Sequence, residues 1–247
     1  MRTELNPVLH FAPLHKSFLI MLFKISYYFS TLSVLIPLFF LLISRQFFKN
    51  RLITALGCLL LCSGLTELLS CFFINRMKSN AILLNVYTMV EFYLISYIYV
   101  ILISNKILIK FSIAAFTVFI VINGVFIQQI YEQQTWLFTV ESFILLILSM
   151  YYVYVNTFKR STNVMPINFT AFWINAGVLF YFGLSLHLFV ASNYFFKKTP
   201  TEGTELIWAC HNFNNFLKNI FFAIAIYLFT KKSHDSVTTA SYNLTSA

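Results

Sequence analysis

Charge is scarce in this chain. Only 10% of its 247 residues are charged, where an ordinary soluble domain carries roughly a quarter. Glycine and proline are scarce too, at 6 and 5 residues. So few helix breakers give little material for the paired broken helices of a secondary transporter, and no inverted repeat is evident. The four cysteines, Cys58, Cys62, Cys71 and Cys210, all fall inside apolar runs. Cys58 and Cys62 share a helix face at i, i+4, but no metal-finger spacing is present. They read as small buried apolar side chains. HExxH and GxSxG are both missing, and the N-terminal stretch lacks a small-residue cleavage site.

What the chain has is apolar surface. Hydrophobic residues make up 59% of it, with 30 phenylalanines and 14 tyrosines, and the mean hydropathy is +0.78. A soluble fold of this size still exposes a large area and cannot hide so much apolar side chain. Lipid is the natural solvent, and the aromatics suit both the lipid face and the interfacial belts. The net charge of +9 would point to nucleic acid in a soluble protein. Here no basic block is long enough for that, and no nucleic-acid partner is expected. Most lysines and arginines sit between apolar runs, where they act as topology signals.

Runs of about 20 apolar residues, the length that crosses a bilayer, recur seven times: 25–44, 52–74, 81–103, 108–127, 136–156, 167–191 and 206–229. They are too long and too continuously apolar for the alternating strands of a membrane barrel. The sequence therefore predicts an all-α integral membrane bundle of about seven spans over residues 25–230, in one domain. An interfacial lead-in is expected over 1–24 and a polar, disordered tail over 231–247. Loop charges set the orientation. Arg45, Lys49, Arg51, Lys106, Lys110, Lys159, Arg160, Lys231 and Lys232 fall on one side against Asp235 alone. The opposite side dilutes its lysines and arginines with Glu4, Glu132, Glu202 and Glu205. This places the N-terminus outside and the C-terminus in the cytoplasm.

Several ionisable residues lie inside the runs, where they are costly and usually face the bundle interior. Glu67 is in the second span, Glu91 in the third, Glu141 in the fifth, His187 in the sixth, and His211 and Lys218 in the seventh. Helix rise puts Glu67, Glu141, His187 and His211 roughly 8–10 Å from the outer end of their spans, and Glu91 and Lys218 at about 15–18 Å. The polar groups thus gather in the outer half, while the inner half holds mainly Asn175 and Trp173. A polar cavity in the outer half is expected, floored by a Glu91–Lys218 ion pair. In the seventh span His211, Asn214 or Asn215, and Lys218 form one stripe at i, i+3/i+4, i+7. The surrounding asparagines read as helix-packing glue, and His187 as an interfacial residue. The expected pocket residues are Glu67, Glu91, Glu141, His211, Asn215 and Lys218; no catalytic residue, metal site or cofactor is singled out.

The span pattern resembles small uncharacterised polytopic proteins of Gram-negative bacteria, carried by VYTMVEF in the third span, FWINAGVLFYF in the sixth and the His/Asn-rich start of the seventh. The resemblance covers most of the chain, implies a cell-membrane location in the bacterial inner membrane, and implies no activity. Glu91 in the third span and Lys218 in the seventh also look like a retinal protein, with Lys218 as Schiff-base lysine and Glu91 as counter-ion. The departures weigh against that. Asn214 stands where microbial rhodopsins place Asp, the third span lacks the Arg and Trp–Thr pattern, and the sixth has only Trp173 and Tyr181 of the Trp–x–x–Tyr–Pro motif. Seven-helix zinc hydrolases carry paired histidines near HxxxH in the last helix, whereas here His211 is followed by Asn215. The preferred reading is a small ligand or ion bound in a sensory or accessory role, beside a signalling partner, with an intramembrane hydrolase or a proton-coupled carrier as alternatives.

Overall fold

The structure, a computed structural model, describes residues 13–44, 50–75, 79–157, 168–198 and 202–245. In hydrocarbon every backbone N–H and C=O must find a partner within its own segment, which favours helices. The helices are α1 (Pro13–Ser33), α2 (Leu35–Ile43), α3 (Arg51–Asn75), α4 (Ala81–Leu102), α5 (Ile107–Ile122), α6 (Thr135–Thr157), α7 (Phe169–Lys198) and α8 (Glu202–Thr245). A π-helical turn, Asn123–Ile127, extends α5. Seven segments are long and apolar enough to cross a membrane, α1 and α2 together making the first.

Small polar residues cap the spans. Asn50 Oδ1 accepts from the Leu52 and Ile53 amides at 2.9 and 3.3 Å, and Asn168 Oδ1 from the Ala171 amide at 3.3 Å. Each satisfies first-turn donors that have no partner inside the helix. The junction between α1 and α2 falls at Val34 because Pro37 brings no N–H to the Ser33 carbonyl.

Two boundaries differ from expectation. The first span begins at Phe18 rather than residue 25, because the exposed Lys24 rides on the helix with its ammonium free to reach out of the apolar layer. Residues 1–12 of the expected lead-in lie outside the described residues. At the other end α8 runs on to Thr245, past the apolar run and through the segment read as a polar tail. That stretch contains no glycine or proline to stop a helix. Arg45, Lys49, Arg76, Lys78, Lys159 and Arg160, which carry much of the orientation argument, also lie outside the described residues.

Six spans close a ring in the order α1/α2, α3, α4, α6, α7, α8 and back to α1/α2, while α5 packs outside it against α4 and α6. Accordingly the α5 span is only 22% buried, and it is held to α4 by Phe116 stacked on Phe92 at 3.8 Å between ring centroids and by a 2.9 Å hydrogen bond between Tyr93 and Thr117. Gly177 lets α7 and α8 approach closely: a Cβ there would meet Phe222 at 3.0 Å and the Phe221 Cβ at 3.1 Å.

The ring is filled unequally along its length. The half containing the start of α3 and the end of α4 is packed solid with Ile53, Leu56, Leu60, Ile95, Ile98, Leu148, Ile174 and Ile226, all almost fully buried. One polar node sits there. Asn175 Oδ1 accepts from Tyr99 Oη at 2.8 Å and Ser149 Oγ at 3.0 Å, tying α4, α6 and α7. The other half holds a cavity.

Candidate functional site

The cavity has a volume of about 70 Å³ and lies inside the ring, near the end where α3 and α7 finish and α4, α6 and α8 begin. Each wall comes from one helix. Ser63, Thr66, Glu67 and Ser70 occupy one face of α3, recurring at i, i+3/i+4, i+7. Leu84, Tyr87, Thr88 and Glu91 do the same on α4. α6 contributes Phe138 and Glu141; α7 contributes Tyr181, Phe182 and Phe189; α8 contributes Trp208, His211 and Asn215.

Lys218 Nζ lies 2.7 Å from Glu91 Oε1, with the two side chains 2% and 3% exposed. This is the pair that helix rise selected. The same carboxylate oxygen accepts from Tyr87 Oη at 3.1 Å, and the ammonium sits 3.9 Å over the Tyr181 ring. A buried ion pair persists only when further hydrogen bonds and dipoles replace the lost water. Tyr87 and Tyr181 supply that replacement. Lys218 itself stands behind the wall, one hydrogen bond removed from the cavity.

The remaining expected residues also reach this cavity. Glu67 is half-buried and accepts from Thr31 Oγ1 of α1 at 3.1 Å. Glu141 is 3% exposed, and its Oε1 has no hydrogen-bond partner among the described residues. Its position on α6 brings it within electrostatic reach of both Glu91 and Lys218. His211 is enclosed by rings, with Trp208 and Phe189 centroids at 5.3 Å and Tyr181 at 5.7 Å. Its Nδ1 has no hydrogen-bond partner among the described residues, nor has Ser70 Oγ. Asn215 touches the cavity but spends its amide on Ser30 Oγ of α1, at 2.9 Å. His187 stands apart from the cavity; it is exposed on α7 and donates Nδ1–H to the Gly183 carbonyl at 2.9 Å.

Three features escaped sequence reasoning. The first is a ladder between α1 and α8, in which Asn212, Asn215 and Asn219 donate to Ser26, Ser30 and Ser33 at 3.3, 2.9 and 2.7 Å. The matching spacings, i, i+4, i+7 for serine and i, i+3, i+7 for asparagine, were the available signal. The second is Asn85, buried on α4. It donates to the Ile130 and Glu132 carbonyls at 3.1 and 2.9 Å and accepts from the Gln134 amide at 3.2 Å, pinning the loop before α6. The third is the aromatic enclosure of Lys218 and His211.

The volume limits the chemistry. Drug-sized ligands take roughly 300–1,000 Å³, so about 70 Å³ admits an ion or a molecule of a few heavy atoms and leaves no room for a retinal-sized chromophore. The charges are unbalanced as well. Glu67, Glu91 and Glu141 face the cavity, while the one lysine is committed to Glu91. Among the described residues no three His, Cys, Asp or Glu side chains are placed to hold a metal ion. No family model, curated protein or solved structure matches this chain.

Proposed function

We propose that this multi-pass membrane protein binds a small ligand or ion inside its helix ring, in a sensory or accessory role, with the output carried by a partner. One observation carries the reading: Glu141, 3% exposed, presents to a cavity a carboxyl oxygen with no hydrogen-bond partner among the described residues. A buried polar atom without a partner costs roughly 1–3 kcal/mol, more when charged, and an occupant that bonds it recovers that cost. The lysine and arginine distribution supports an N-terminus outside and a C-terminus in the cytoplasm, so the cavity belongs to the outer half of a bacterial inner-membrane protein.

The test is to fill the space. Ser70→Leu places apolar volume in the cavity and removes an unpartnered hydroxyl. Purified wild type should unfold at a higher temperature in the presence of at least one member of a panel of small ions, amines, acids and neutral amides, and Ser70→Leu should show no such response while remaining folded. A wild-type midpoint that ignores the whole panel would overturn the reading. For orientation, a C-terminal reporter active only in the cytoplasm should be active.

A further inference from the structure

We infer that the occupant is a small organic cation bearing N–H donors, of the primary-ammonium class, held by Glu141. This rests on the binding reading above and names the chemistry of the same cavity.

The hydrogen-bonding inventory comes first. Among the described residues, the wall atoms without a hydrogen-bond partner are Glu141 Oε1, Ser70 Oγ and His211 Nδ1. A carboxylate only accepts, and a hydroxyl and a neutral imidazole nitrogen are able to accept. They come from α6, α3 and α8, three sides of one space. An occupant with several donors satisfies them together. An anion finds the opposite: the one lysine already holds Glu91 at 2.7 Å and is shielded by the Tyr181 ring.

Charge points the same way. Among the described residues, three carboxyl groups face the cavity and the Lys218 ammonium is the cation beside them. An unpaired carboxylate in an apolar interior is expensive, so a cationic occupant would give Glu141 the counter-charge that Lys218 gives Glu91. A hard metal cation would supply charge but takes six or more oxygen ligands. Much of this wall is ring carbon, from Phe138, Tyr181, Phe182, Phe189 and Trp208. Ring faces attract an ammonium and accept the alkyl group attached to it. Volume sets the upper size: about 70 Å³ fits methylammonium or a similar ion.

The experiment uses full-length protein in detergent, with unfolding followed by fluorescence of its three tryptophans. Methylammonium chloride should raise the midpoint saturably, and sodium chloride and tetramethylammonium chloride, which bring charge without N–H donors, should not. Glu141→Gln keeps the shape and loses the charge. It should weaken methylammonium binding about tenfold or more, the scale of losing a charged hydrogen bond, with a ligand-free unfolding midpoint no lower than that of wild type as the control for folding. Ser70→Ala should weaken it less. Equal stabilisation by sodium or tetramethylammonium, or a response untouched by Glu141→Gln, overturns the ammonium assignment. Stabilisation by neutral acetamide but not by methylammonium overturns it while leaving the cavity a binding site. Silence toward every probe overturns both.

Discussion

Asn219 donates a hydrogen bond to Ser33 at 2.7 Å across 186 positions of sequence, and the first and last spans of the ring are joined through it. Two further rungs, Asn215 to Ser30 and Asn212 to Ser26, continue the join toward the cavity. Lipid provides no hydrophobic drive for helices to associate, so polar contacts and close packing do that work. Ser26→Ala, Ser30→Ala and Ser33→Ala together should therefore cost about 2 kcal/mol, at about 0.6 kcal/mol per interhelical bond. Each single change should fall near the error of measurement. Reversible unfolding in mixed micelles reads this directly, and a triple variant as stable as wild type would remove the ladder from the list of forces holding α1.

The Glu91–Lys218 pair should behave asymmetrically. Lys218→Met strands a buried carboxylate and should cost about 3–5 kcal/mol. Adding Glu91→Gln should recover most of that loss, because no charge is then left without its partner. The quantity to measure is the coupling energy of the double-mutant cycle. A value near zero would mean the two groups are stabilised separately.

Gly177→Ala tests the α7–α8 seam. The added methyl meets the Phe221 Cβ at 3.1 Å, an atom fixed to the backbone and unable to swing aside. Overpacking of this kind typically costs 1–3 kcal/mol. Gly64→Ala is the control, since its nearest contacts are flexible Leu38 and Val34 methyls at 3.7 and 3.8 Å. It should leave stability unchanged within about 0.5 kcal/mol.

Asn85→Ala removes three hydrogen bonds from the loop before α6. Amide exchange over 128–134 should accelerate far more than exchange in the α6 interior, because those bonds tie the loop to α4 while the hydrogen bonds inside α6 stay in place. Uniform acceleration through the whole bundle would show instead that Asn85 supports the fold globally.

The seven spans were legible because about 20 uninterrupted apolar residues have few alternatives. Glu91 and Lys218 were legible for a different reason: a charge at mid-depth is so costly that it demands a counterpart at equal depth. Serines 26, 30 and 33 carried no such signal. A hydroxyl can return its hydrogen bond to its own helix, so serine sits in an apolar run at little cost, and its partners lie near the other end of the sequence. The first span starts at Phe18, ahead of Lys24, because a long side chain lets its charge leave the apolar layer without ending the helix. The last helix runs to Thr245 beyond the apolar run, because polarity alone does not end a helix where no glycine or proline stands.

Ring closure also has a consequence for biogenesis. Spans enter the membrane in chain order, and α8 comes last. Until it arrives, the serines of α1 lack their asparagines and Glu91 lacks its cation. The growing chain must carry these groups, bonded to temporary neighbours, until the final helix settles the first one into place. A chain that stopped before the last span would thus hold six inserted spans whose first helix keeps its contacts with α3 but lacks its ladder to α8, an easy target for membrane quality control.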